Sequence, residues 1–157
     1  MILLVHMLFG AAIGSAIQNP ILAIILALLG HYFLDIFPHI EYLDGVESSI
    51  EKLRNGGWPQ SAANTVKVLI DFLLGALLIF IFSNSTPVIY ACALVAIVPD
   101  GLTVIHSLFP KLGLAAHHHI HSKKIHYLTK QKNFPVSWKI ATQVIAAVMS
   151  IIILITG

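Results

Sequence analysis

Three side chains that could bind a metal ion lie four residues apart near residue 35. His31 and Asp35 end a long apolar run, and His39 follows Pro38. Residues four apart lie on one face of an α-helix, so a helical run would bring two imidazoles and a carboxylate together. These groups are ligands for zinc, and also for iron or manganese. The spacing therefore predicts one wall of a metal site, with zinc as the expected ion.

Other candidate ligands are spread along the chain. Asp100 follows Pro99, and a proline frees an upstream carbonyl and bends its helix, which we expect to aim the Asp100 carboxylate inward. His117 and His121 repeat the spacing of four residues. The full set of predicted ligands is His31, Asp35, His39, Asp100, His117, His121 and His6.

Two further groups of side chains lie beside these candidates in the sequence. His118 and Lys123 are candidates to support a reaction, and Lys123 with Lys124 could attract an anionic lipid headgroup. The roles of His106 and His126 stay open, because a single histidine near the end of a membrane span is more often an interfacial residue than a ligand.

The composition is that of an integral membrane protein. Of 157 residues, 57% are hydrophobic and 10% are charged, whereas a soluble domain has about a quarter charged residues. The net charge is only +2 and forms no basic stripe, so a nucleic-acid partner is not expected. The single cysteine, Cys92, excludes a disulfide framework within the chain. Membrane lipids are the expected partners, and the oligomeric state is not predicted.

Apolar runs of about 17 to 25 residues are long enough to cross a bilayer as helices. Short uncharged turns containing Pro20 and Pro87 separate two pairs of such runs. The pattern predicts an all-α membrane bundle, a single domain over residues 1–157, with four or six spans as alternatives to five. The five predicted spans are residues 1–17, 21–37, 66–82, 88–109 and 136–156.

Charge predicts how these spans are oriented. With five crossings, all nine Lys and Arg residues lie on or near the side of the two long loops, residues 38–65 and 110–135. Because cytoplasmic loops are enriched in Lys and Arg, we predict a multi-pass cell-membrane protein with its N-terminus and long loops in the cytoplasm and its C-terminus outside. All nine histidines fall on the cytoplasmic side, so the metal site is expected at that surface.

The stretch Gly30-His31-Tyr32-Phe33-Leu34-Asp35-Ile36-Phe37-Pro38-His39 resembles the metal-binding His-x-x-x-Asp helix of the zinc-dependent phospholipase C and P1 nuclease superfamily, in particular its small integral-membrane hydrolase branch. Pro99-Asp100, His121-Ser122 and His6 are similar to shorter motifs of that branch. The resemblance implies a helical bundle around two or three zinc ions that activate water against a phosphoester.

Three functions remain open from the sequence. The leading hypothesis is a metal-dependent hydrolase that acts on a phosphoester or related ester, lipids included, at the cytoplasmic membrane surface. The alternative is a non-enzymatic membrane protein that binds, senses or transports a metal. A membrane di-iron oxidase ranks third, because His117 to His121 supply only one irregular histidine box. For His31 and Asp35, the simplest non-metal interpretation is a hydrogen bond between helices.

Overall fold

The computed structural model describes residues 1–40, 50, 58–125 and 134–157, without the side chains of 58–62 and 123. All regular secondary structure in these residues is helical, which confirms the all-α prediction for this part of the chain. The α-helices are α1 (Leu3–Ala16), α2 (Pro20–Asp35), α3 (Trp58–Phe82), α4 (Pro87–Val95), α5 (Val98–Leu108), α6 (Ala115–His119) and α7 (Val136–Thr156). A 3₁₀ turn, Pro110–Leu112, follows α5, and a π-helical segment, Ile120–Ile125, follows α6.

The helix bounds differ from the predicted spans in two places. Helix α3 begins at Trp58 rather than at residue 66, and residues 88–109 form the two helices α4 and α5, bent by 45°. By length and apolar composition, α3 and α7 could each cross a membrane, and the bent pair α4 and α5 could be a third span. Helices α1 and α2 are apolar but shorter, at 14 and 16 residues.

The predicted tight turn between α1 and α2 is present. Asn19 caps α2, because its side-chain oxygen accepts hydrogen bonds from the amides of Ile21 (3.0 Å) and Leu22 (3.1 Å). Pro20 occupies the first turn, where its missing N–H costs no hydrogen bond. This turn reverses the chain, so the end of α2 returns to the level where α1 begins.

Helix α1 lies in the centre of the bundle and packs against α2, α3, α4 and α7. Its closest approach is to α4, which runs antiparallel to it. A Cβ atom added to Gly10 would lie 2.5 Å from the Cys92 carbonyl oxygen and 2.6 Å from the Ala96 Cβ. Gly14, one turn later, makes a similar approach to Ile89. Glycine therefore allows the two backbones to meet, as is common between membrane helices.

The first turn of α1 is held by side chains from two other helices. The Asp71 carboxylate of α3 accepts a hydrogen bond from the Leu4 amide at 3.0 Å, and the Gln143 side-chain oxygen of α7 accepts one from the Ile2 amide at 3.3 Å. These bonds satisfy amides that a helix cannot satisfy itself. They hold the N-terminal end of α1 against α3 and α7.

The bend between α4 and α5 makes the Ala96 carbonyl and the Asp100 side chain available to the other helices, which a straight helix would not do. Proline has no N–H and disfavours helical geometry in the residue before it, so Pro99 fits only in the first turn of a new helix. The carbonyl of Ala96 lies at the break, and its oxygen meets a side chain of α2. The bend also brings Asp100 to the start of α5, where its side chain is 4% exposed, as expected from the sequence.

Candidate metal centre

Four buried side chains converge at the end of the bundle where α1 begins and α2 ends. They are His31 and Asp35 from α2, Asp100 from α5, and His121 from the π-helical segment. Their relative exposures are between 0% and 4%. One potential ligand atom from each lies within 4.8 Å of the others. Three separate parts of the chain thus contribute to one cluster.

The distances between these donor atoms are close to those of a tetrahedral site. The Nε2 atoms of His31 and His121 are 2.9 Å apart, and they lie 3.1 Å and 3.3 Å from Asp35 Oδ2. Asp100 Oδ1 is 3.6 Å from His31 Nε2 and 3.7 Å from His121 Nε2. Zinc bonds of about 2.0 to 2.2 Å in a tetrahedron separate the ligand atoms by about 3.3 to 3.6 Å. The cluster therefore has the size of a zinc coordination shell.

The orientation of His31 is fixed by the bend between α4 and α5. Its Nδ1 lies 2.7 Å from the Ala96 carbonyl oxygen. A carbonyl can only accept, so Nδ1 carries the hydrogen and donates. In the neutral ring, Nε2 then has a lone pair that faces the centre of the cluster. Metal-binding histidines typically donate their other N–H in this way.

His121 is oriented by Thr103. The Thr103 hydroxyl donates its hydrogen to the Pro99 carbonyl oxygen at 3.2 Å, so it can only accept from His121 Nδ1 at 3.3 Å. His121 Nδ1 therefore carries the hydrogen, and its Nε2 has a lone pair in the neutral ring. Two imidazole lone pairs and two carboxylates then face one another, an arrangement that a cation would stabilise.

That cation is either a proton on one ring or a metal ion. A proton would bridge two of the donor atoms, such as the His31 and His121 nitrogens, and would correspond to the interpretation as a hydrogen bond between helices. A metal ion would use all four donors at once. Two observations fit a metal ion better than a proton. Four donor atoms converge, and the buried Asp100 Oδ2 has no hydrogen-bond partner among the described residues.

The second oxygen of Asp35 faces a different group. The Met1 amino group donates to Asp35 Oδ1 at 2.7 Å, and His6 Nε2 lies 3.1 Å from the same oxygen. His39 Nε2 is 3.8 Å away, while its Nδ1 donates to the Phe37 carbonyl at 2.6 Å. His6 also stacks on His31, with ring centroids 4.0 Å apart. Asp35 thus joins the four-residue cluster to a second group, which consists of the Met1 amino group and the imidazoles of His6 and His39.

His39 and His117 reach the site differently from the predicted helical faces. Helix α2 ends at Asp35, so His39 approaches Asp35 from the chain beyond the helix. His117 Nε2 donates to the Pro99 carbonyl at 3.1 Å, and its ring stacks on His121 with centroids 5.6 Å apart. His117 therefore lies beside the four-residue group and outside it.

Of the remaining candidates, His118 has its Nδ1 3.5 Å from the Ser122 hydroxyl. Its ring packs beside His106, with centroids 4.9 Å apart. The Lys123 side chain and all of His126 lie outside the described part of the chain. Their proposed roles stay predictions.

Sequence reasoning missed the groups that orient the ligands. Thr103 could have been noticed, because it lies three residues after Asp100 on the same helix and four after Pro99, where a threonine often bonds back to a carbonyl. The Ala96 carbonyl and the Met1 amino group carry no such signal, because any residue has a backbone carbonyl and any chain has an amino group.

Comparison with known proteins adds no assignment. A search of protein-family models, of curated proteins and of solved structures found no match to this chain. The resemblance to the phospholipase C and P1 nuclease superfamily therefore stays a prediction.

Thr103→Val should weaken metal binding without removing the site. Valine keeps the shape of threonine and loses the hydroxyl that accepts from His121 Nδ1, and such supporting bonds contribute about 10-fold to 100-fold in metal affinity. Zinc affinity, measured by competition with a chelator, should fall by this factor, with the same stoichiometry at saturation. Ser107→Ala is the control, since the one hydrogen bond that its hydroxyl makes to the described residues goes to the Thr103 carbonyl. An equal loss in both variants would contradict the assignment.

Proposed function

We propose that this protein is a membrane-bound, metal-dependent hydrolase of a phosphoester or related ester, with zinc bound by His31, Asp35, Asp100 and His121. The tetrahedral spacing of four buried donor atoms carries the proposal. The two imidazoles have the tautomer that zinc needs, and the two carboxylates supply negative charge. Iron or manganese also binds such nitrogen and oxygen donors and is the alternative ion.

Zinc bound here would lower the pKa of a water molecule and polarise a phosphoryl oxygen, which is the chemistry of metal-assisted hydrolysis. The protein's own task is to hold the donors in position. Ala96 and Thr103 orient the two imidazoles, and Asp35 links the cluster to the Met1 amino group. The four donors of this cluster would hold one ion per chain. If a second ion binds, His6 and His39 are its expected ligands.

A substrate at the membrane surface, including an anionic lipid, is supported by apolar exposure in the part of the chain that contains His121. Residues 109–124, which follow α5 and include His121, expose Phe109 (59%), Leu112 (61%) and Ile120 (54%). Large apolar side chains on the same segment as a ligand favour contact with lipid. Lys124 is exposed on this segment and could meet an anionic headgroup.

We also propose the five-span topology with a cytoplasmic N-terminus. Support comes from the alternating helix directions: Gln143, near the start of α7, lies at the N-terminal end of α1, and Gly157 lies beside Ser15 at the other end. The short helices α1 and α2 pack within this bundle. Cysteine-accessibility labelling at residues 85 and 157 from outside intact cells, and at residue 111 only after lysis, would support the orientation; the reverse pattern would exclude it.

The central test measures metal and activity together. Purified protein loaded with zinc and passed through a desalting column should retain about one ion per chain and release phosphate or a phosphorylated headgroup from vesicles of phosphatidic acid or phosphatidylglycerol. His31→Ala and His121→Ala should lose both properties. His106→Ala should retain both, because His106 lies outside the four-residue group. Wild-type protein that retains no metal would contradict the proposal.

A metal centre without catalysis is the second candidate. One observation favours it: the protein supplies all four donors, as in structural zinc sites, whereas catalytic sites usually keep a position open. Such a centre would tie α2, α5 and the π-helical segment together. Zinc that binds and stabilises the protein, with no hydrolysis of the vesicle lipids and no response of the bound metal to added anions, would favour this candidate.

A further inference from the structure

Tyr32 lies directly beside His31 and His121, the two imidazoles of the candidate metal centre. Its ring meets the His31 ring edge to face, with centroids 5.4 Å apart and planes at 85°. It meets the His121 ring in the same manner, at 5.9 Å and 74°. Tyr32 therefore contacts the ligands contributed by α2 and by the π-helical segment at the same time.

Tyr32 also lies between the buried centre and the outside. The four candidate ligands are almost fully buried, whereas Tyr32 is half-buried. Tyr32 is therefore a partly exposed residue that contacts two buried candidate ligands.

The other hydrogen-bond donors near these rings already have acceptors, whereas the Tyr32 hydroxyl does not have one among the described residues. His31 Nδ1 donates to Ala96, His121 Nδ1 to Thr103, and the Thr103 hydroxyl to Pro99. His117 Nε2 also donates to Pro99. In the described part of the chain, the Tyr32 hydroxyl has no hydrogen-bond partner. It is therefore available to a molecule that binds at the metal.

Asp100 is the more distant of the two carboxylates from the imidazole nitrogens. Asp100 Oδ1 is 3.6 Å and 3.7 Å from the two imidazole nitrogens, further than the 3.1 Å and 3.3 Å of Asp35 Oδ2. A zinc site can expand to five ligands, so an added oxygen does not require the loss of a protein donor. An anionic oxygen in this position would need a hydrogen-bond donor, because two carboxylates already face the site.

We propose that Tyr32 is a substrate-binding residue whose hydroxyl donates a hydrogen bond to an anionic oxygen of a phosphate group bound at the metal. This inference rests on the proposed hydrolase function and identifies the phosphate group as the part of the substrate that is recognised. No proton is transferred in this step: the phenol keeps its hydrogen and shares it with the phosphate oxygen. A hydrogen bond to a charged oxygen is stronger than one between neutral groups.

The test uses cobalt in place of zinc and inorganic phosphate as the probe. Cobalt(II) in a tetrahedral site of nitrogen and oxygen donors absorbs visible light, and the spectrum changes when an anion joins the metal. Full-length protein in detergent is loaded with cobalt, and phosphate is titrated into wild type, Tyr32→Phe and Tyr90→Phe. Tyr90 is the matched control, because its hydroxyl donates to Ser85 at 3.1 Å in the turn at the opposite end of the bundle.

The expected result is a phosphate-dependent spectral change in wild type and Tyr90→Phe, with affinity for phosphate about 10-fold or more weaker in Tyr32→Phe. The cobalt content and the phosphate-free spectrum should be equal in all three proteins. Equal phosphate affinity in wild type and Tyr32→Phe would overturn the role of Tyr32 and leave the hydrolase proposal standing.

Two other outcomes are also decisive. Loss of cobalt from Tyr32→Phe would mean that the phenol supports the metal site itself, and would overturn a role in substrate binding. A wild-type cobalt spectrum that does not respond to phosphate would overturn the proposed hydrolase function together with the role of Tyr32.

Discussion

Asp100→Asn is expected to abolish stoichiometric zinc binding and the zinc-dependent part of the stability, while the metal-free protein stays as stable as wild type to within about 1 kcal/mol. The substitution keeps the shape of the side chain and removes the charge of a ligand. In wild type, zinc at 100 times its dissociation constant should add about 2.7 kcal/mol to the free energy of unfolding. Thermal unfolding in detergent, with zinc and with a chelator, measures both quantities.

The small effect in the absence of metal follows from the charges of the cluster. The Met1 amino group pairs with Asp35 rather than with Asp100, so the substitution leaves that cation paired. The Asp100 Oδ2 atom loses no hydrogen bond to the described residues. Removing one of two neighbouring carboxylates also relieves their repulsion. The metal-free cluster should therefore tolerate asparagine.

A large loss of stability in Asp100→Asn without zinc would indicate a different role for Asp100. If Asp100 is instead the permanent partner of a protonated His31 or His121, removing its charge should cost about 3 to 5 kcal/mol with or without zinc. Asp71→Asn serves as the control. Asp71 accepts from the Leu4 amide and lies outside the four-residue group, so this variant should keep the zinc-dependent stabilisation.

Gly10→Ala is expected to weaken both the fold and the metal site. The added Cβ would lie 2.5 Å from the Cys92 carbonyl oxygen and 2.6 Å from the Ala96 Cβ, so α1 and α4 must separate. Such overpacking typically costs about 1 to 3 kcal/mol. The Ala96 carbonyl also orients His31, so displacement of α4 should lower zinc affinity, by about 10-fold or more.

Gly101→Ala is the matched control for this prediction. A Cβ atom at Gly101 would meet no atom within 4 Å, although the residue lies next to Asp100. Since alanine favours a helix over glycine by up to about 1 kcal/mol, this variant should be as stable as wild type or more stable. Unfolding in detergent and chelator competition give the two readouts. Wild-type zinc affinity in Gly10→Ala would show that the contact between α1 and α4 does not set the position of His31.

Local patterns in the sequence were sufficient for the helices and for one pair of ligands. Apolar runs bounded by Pro20 and Pro87 indicated where two helices begin, because proline fits the first turn of a helix. The pair His31 and Asp35 followed from the helical repeat alone, and their atoms meet at 3.1 Å. The bend before Asp100 followed from the chemistry of Pro99.

The same patterns did not predict which of the other histidines belongs to the four-residue group. His117 and His121 have equivalent spacing and chemistry, yet only His121 belongs to the four-residue group. His39 was expected on the face of a continuing helix, but α2 ends at Asp35. Which of these side chains enters the cluster depends on where separate helices cross, and a periodic pattern within one helix contains no information about that crossing.

The sequence by itself therefore determined an apolar helical protein with histidines and aspartates collected at one end, because helix formation and hydrophobic burial follow from residue type and local spacing. Only the tertiary structure decided that Asp100 and His121 join His31 and Asp35 in one buried cluster. It also decided that Ala96, Thr103 and the Met1 amino group surround this cluster. The physical reason is that these contacts join residues 18 to 90 positions apart, which only the packing of separate helices can bring together.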